Sequence, residues 1–117
     1  MKIKMPIAML MLLVVLLSCT HDPVIPETPQ VSFSTQVGPI FISNCATVKC
    51  HDGSAEFDLS SYETVRKHVK PGDARGSSAY RAITTLWGES AMPPNGPLSQ
   101  QQINLIYVWI MQGAKDN

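Results

Sequence analysis

Two thiols and an imidazole fall within seven consecutive residues, Cys45-Ala46-Thr47-Val48-Lys49-Cys50-His51, and no other part of the chain constrains its fold as much. They matter because the chain is short. Its first residues, MKIKMPIAMLMLLVVLLSC, carry two lysines, an apolar run over residues 7–17 and a small residue before Cys19. This is the layout of a secretory signal, since the apolar stretch is too short to cross a bilayer comfortably. Removing residues 1–18 leaves 99 of the 117 residues, enough for one small domain and too few for two. A core of that size is marginal unless something staples it, and in an oxidising compartment two neighbouring cysteines are expected to be bonded to something.

Leu16-Leu17-Ser18-Cys19 resembles the lipobox of bacterial lipoproteins, which implies lipidation of Cys19 and cleavage just before it. Thr20 follows where aspartate would retain such a protein elsewhere, so the same resemblance implies a lipid-anchored protein of the cell envelope. It favours the outer membrane, with the domain in the periplasm or at the cell surface. Ordinary secretory cleavage with Cys19 as a spare thiol, or an uncleaved anchor, is the alternative. Without Lys2 and Lys4 the chain holds seven basic against nine acidic residues, a formal charge of −2, and offers no basic face for nucleic acid. Residues 20–32, with three prolines and few large apolar groups, read as an extended tether. The folded domain is therefore expected over 33–117, after a lipidated N-terminus and tether at 19–32.

Within that domain the periodicity is helical throughout. Phe33, Val37, Ile40 and Phe41 recur on one helix face and predict a first helix over 34–44, kinked near Pro39. Ser60 and Glu63 have the spacing of a capping box and predict a short helix to about His68, stopped by Pro71 and Gly72. A third short helix begins at Ser77 or Ser78 and carries Ala79, Tyr80 and Ile83 inward, and residues 86–97 are too rich in proline and glycine to be other than a loop. Ser99 and Gln102 cap the last helix, with Leu98 and Ile103 as its hydrophobic staple. Its buried stripe is expected to be Ile103, Ile106, Tyr107, Ile110 and Met111, and Gly113 ends it. No alternating run is long enough for a strand, so the domain reads as all-α.

The chemistry of the 45–51 segment admits three readings. Cys45 and Cys50 can form a disulfide closing a small loop, with His51 incidental, in a binding or structural lipoprotein. Two thiolates and one imidazole can begin a zinc site, but no free cysteine completes it. Alternatively the two thiols attach a haem through its two vinyl groups, and His51, directly after the second cysteine, reaches the iron from the same side. Four residues separate the cysteines where the usual attachment signature has two, and the extra pair can bulge away without moving Cys50 and His51. A covalent haem would give short helices with few aliphatic residues an apolar centre to fold around. For the sixth iron ligand, the signal peptide removes Met1, Met5, Met9 and Met11, leaving Met92 and Met111. Met111 fits the core of the last helix, whereas Met92 stands in a loop stiffened by Pro93 and Pro94. His21 lies in the tether, and His68 reads as a solvated helix-end residue beside Lys67 and Lys70, although ligation by two histidines through His68 is still open.

CATVKCH, FDLSSYETV, VKPGDARGSSAYRAI, AMPP and LSQQQINLIYVWIMQGA, in that order and spacing, resemble the small c-type cytochrome domains of the planctomycete class, found also in exported proteins and lipoproteins of Bacteroidetes. The resemblance spans about residues 33 to 114. It implies one covalent haem c on Cys45 and Cys50, with His51 as proximal and Met92 as distal ligand. It also implies an all-α, cytochrome c-like fold in which the first and last helices cross around the haem, with Phe41 and Trp109 as contacts there. The expected function is electron transfer without substrate chemistry, in exchange with redox partner proteins and at a membrane reached through the lipid on Cys19. No enzymatic activity is expected, because both axial positions are filled and no acid, base and orienting group accompany Cys50.

Overall fold

The structure, a computed structural model, describes residues 24–47, 50–51, 58–85, 91–94 and 96–117. The segment 1–18 expected as a signal peptide, Cys19 and His21 lie outside the described residues. Ser32 opens the first helical segment by accepting a hydrogen bond from the Thr35 N–H at 3.3 Å. The expected single helix is built as two pieces, a π-helical turn over Phe33–Val37 and α1 over Gly38–Asn44. Pro39 accounts for the break, because it has no N–H to continue the ladder and its ring crowds the carbonyl four residues back. The Gly38 N–H reaches Phe33 O instead. A Cβ at Gly38 would lie 3.0 Å from that oxygen and 3.3 Å from the Phe33 ring, so only glycine lets the ring pack there undisturbed.

α2 covers Tyr62–Arg66, one residue later in its cap than the spacing of Ser60 and Glu63 predicts and shorter at its end. Asp58 Oδ1 accepts from the Ser60 N–H at 2.8 Å, which holds Ser60 in a turn and passes the cap to Ser61. Ser61 and Thr64 form the reciprocal box, with Thr64 N–H donating to Ser61 Oγ at 3.3 Å and Ser61 N–H to Thr64 Oγ1 at 3.2 Å. Beyond Arg66 the chain tightens, the N–H groups of Lys67 and His68 donating to the carbonyls of Thr64 and Val65.

Ser77, fully buried, organises the following turn. Its hydroxyl accepts from the Lys70 N–H and donates to Asp73 O, both at 2.8 Å. A hydroxyl used in this way cannot cap a helix, and α3 over Ser78–Thr84 starts without a side-chain cap bond from Ser77. Gly72, at φ +78°, sends its N–H to Ile110 O at 2.8 Å and so fastens this turn to the last helix.

That last helix, α4 over Gln100–Met111, has the expected capping box of Ser99 and Gln102, and Leu98 before it is buried. It packs against the π-helical turn and against α3. Ile106, Trp109 and Ile110 are its fully covered side chains, while Ile103, Tyr107 and Met111 are partly covered. The expected stripe therefore lacked its largest member. Trp109 lies with its ring centre 5.3 Å from Phe33, and Tyr62 meets Phe33 edge-on at 5.1 Å. Tyr62 also donates its hydroxyl to Ala114 O at 2.9 Å, and Trp109 Nε1–H donates to Lys115 O at 2.9 Å. Phe41, expected beside Trp109, is equally buried. Tyr80 of α3 and Tyr107 of α4 pair at 5.6 Å on another side of α4. Among the described residues there is no strand, and the architecture is all-α.

Part of the segment expected as a tether is docked. Gln112 accepts from the Val31 N–H at 2.8 Å and donates to Pro26 O and Pro29 O, at 2.8 and 3.1 Å. Asn117 adds its Oδ1 as acceptor for the Phe33 N–H at 2.9 Å. Proline carbonyls without neighbouring N–H groups make good acceptors for a side-chain amide, a pairing that composition alone does not reveal. Replacing Gln112 by alanine is expected to release residues 26–31, at a cost of about 1–3 kcal/mol in unfolding free energy. Faster amide exchange at Val31, with the core amides of α4 unchanged, is the corresponding signal.

Candidate functional site

α1 delivers the chain to Cys45, whose N–H donates to Phe41 O at 2.8 Å. From there the segment curls back on itself. Cys50 N–H donates to Thr47 O at 2.9 Å and His51 N–H to Cys45 O at 3.1 Å, so the four-residue spacing closes as a loop whose two ends touch. The Leu59 N–H then bonds His51 O at 2.9 Å. A second part of the chain is organised on α3. Its first turn holds His68, whose carbonyl accepts from the Ala79 N–H at 3.0 Å and from the Ser78 hydroxyl at 3.2 Å. Ala82 O, one turn on, accepts from the Met92 N–H at 3.0 Å and holds the loop that carries Pro93 and Pro94.

Between these two parts lies a cavity of about 480 Å³, lined by Cys45, Cys50, His51, His68 and Met92 among the walls of Phe41, Leu59, Ala79, Ala82, Ile83 and the two prolines. Its size falls in the range of small-molecule and cofactor sites, about 300–1,000 Å³. Mostly apolar walls with a few convergent nitrogen and sulfur atoms suit a large, largely apolar ligand. The structure thus brings together Cys45, Cys50, His51 and Met92, all four of the candidate attachment and ligand residues. Met111 is elsewhere, in a second, smaller pocket with Glu27, Gln30 and Lys115.

His68 is the residue that sequence reasoning favoured as solvated at a helix end while leaving its ligation open. It is half-buried and lines the cavity, because the chain tightens after Arg66 and turns the end of α2 toward α3. The available signal was its place between Val65 and Val69, both buried in the core. Burial holds its imidazole below the ordinary pKa, and the nearby His51 and Lys67 add to the effect.

Cys45 and Cys50 are both free thiols, Cys45 buried and Cys50 half-buried. Burial pushes the Cys45 thiol up to about 11, with Cys50 contributing the smaller part. Among the described residues no three His, Cys, Asp or Glu side chains are grouped to hold a metal ion directly. No described helix is long and apolar enough to cross a membrane. Compared with known proteins, the chain matches no family model, no curated protein and no solved structure.

The thiolate is the nucleophile, so a thiol held above its ordinary pKa stays protonated and slow near neutrality. In the domain without a bound group, iodoacetamide at pH 8 is expected to label Cys50 ahead of Cys45. Labelling of Cys45 should rise as pH approaches about 11, followed by mass spectrometry of the digested protein.

Proposed function

We propose that the domain is a monohaem c-type cytochrome, an electron carrier with no substrate chemistry of its own, held at the membrane through lipidated Cys19. One observation carries this reading, namely that a single cavity is lined by Cys45, Cys50, His51 and Met92. The residues fit the group. Cys45 and Cys50 offer the thiols for two thioether bonds, His51 a ring nitrogen and Met92 a thioether sulfur, while the remaining walls are mostly apolar. When bound, haem supplies a one-electron ferric–ferrous couple.

The chain's own contribution is to hold, shield and tune. The loop closed by His51 N–H and Cys45 O keeps both thiols and the imidazole on one stretch of wall. Phe41, Leu59 and Ile83 would give a bound group buried apolar walls, and the more a group is covered the more strongly its surroundings set the potential. Histidine paired with methionine favours the reduced state relative to two histidines and raises the potential. A cytochrome c-like arrangement is part of the same proposal, supported by the packing of α4 against the first helical segment. Its partners are redox proteins, not nucleic acid, in the cell envelope, with the outer membrane favoured by Thr20 after the lipidated cysteine.

The full chain, exported in a host with c-haem maturation, is expected to gain the mass of one haem, and that gain should survive denaturation. Its pyridine haemochrome spectrum should be that of two thioether bonds. Cys45→Ala should keep the haem and shift the band toward the single-thioether form, and Cys50→Ala should do the same. A colourless protein with a Cys45–Cys50 disulfide would instead support a non-haem lipoprotein and end the cytochrome reading.

A further inference from the structure

We infer that His68 is a second distal donor, able to ligate the iron in place of Met92. This rests on the haem reading above, and it concerns a residue whose part in ligation the sequence leaves open. His68 and Met92 line one cavity and are both pinned to α3 by backbone hydrogen bonds. Their anchors are three residues apart. Ala79 N–H holds the His68 carbonyl at 3.0 Å and Ala82 O holds the Met92 N–H at 3.0 Å. Positions three apart on a helix share a face and are separated by about 4.5 Å along its axis.

The anchors are also small. Ala79 and Ala82 both line the cavity, and their methyl groups leave more room on that wall than longer side chains would. The His68 carbonyl receives both Ala79 N–H and Ser78 Oγ–H, which fixes this backbone on the first turn of α3. Imidazole is a good ligand for haem iron, whereas a thioether is soft and favours the reduced metal. The wall organised by α3 therefore offers one donor of each kind, and the two define coordination states of different potential.

The test uses the full chain loaded with haem, whose thioether bonds retain the group whatever happens to the distal ligand. Met92→Ala is expected to stay six-coordinate and low-spin, to lose the charge-transfer band of sulfur-ligated ferric haem, and to have a lower potential than the wild type. Met92→Leu, which preserves more of the loop packing, should give the same spectrum. Adding His68→Ala to either should produce a high-spin site. Added imidazole should then bind about tenfold or more tightly than to the single variant, since there it must displace a residue holding the iron most of the time. His68→Ala alone should keep the sulfur band. High-spin single variants that bind imidazole as tightly as the double ones would overturn the inference, and so would loss of the low-spin state in His68→Ala. A wild-type chain without covalent haem would defeat the underlying reading instead, and mass spectrometry separates that failure from the others.

Discussion

The burial of Trp109 against Phe33 is the contact on which the rest of the structure depends. It binds the last helix to the first helical segment, and Tyr62, packed edge-on against Phe33 and bonded to Ala114 O, draws in α2 as well. Full burial of large aromatic side chains contributes more per residue than any other element of so small a core. With these three segments joined, Gly72 N–H reaches Ile110 O and α3 comes to lie on α4. The cavity then forms where the other end of α1, α3 and the 91–94 loop converge.

Support and cavity overlap only in part. Trp109, Ile106, Ile110, Val37 and Val65 are fully buried and do not border the cavity, Phe41 is both core and wall, and Cys50, His51 and Met92 reach the wall from loop positions. Loops held by a rigid frame commonly carry function. The docked residues 26–31 enter beside the start of the first helical segment, whereas Cys45 lies just past its end. At about 1.5 Å rise per residue, residues 33–44 put roughly 16 Å between the two. A chain anchored at Cys19 would thus be gripped at the end of the domain away from the cavity.

Local signals were the most legible ones. The Ser99–Gln102 box, the staple residue Leu98 and the helix end at Gly113 depend on neighbours a few positions away, and all are found as the spacing predicts. Where two local signals competed, sequence could not rank them: Asp58 takes the Ser60 N–H, so the cap falls on Ser61. Trp109 was omitted from the buried stripe because a helix face is defined by what packs on it, and Phe33 lies far away in the chain. The docking of residues 26–31 was hidden for a similar reason, as its acceptors and donors belong to Gln112 and Asn117.

By itself the sequence determined which residues could act: Cys45, Cys50 and His51 are adjacent in the chain, and Met92 was singled out by the composition of its loop. It also determined that the elements would be helices, because capping and apolar periodicity are properties of short windows. Only the tertiary structure decided that Met92 and the 45–51 loop border one cavity, and that His68 borders it too. Those placements depend on hydrogen bonds between distant backbones, His68 O to Ala79 and Met92 N–H to Ala82, whose energy exists only once α3 has been fastened to the core.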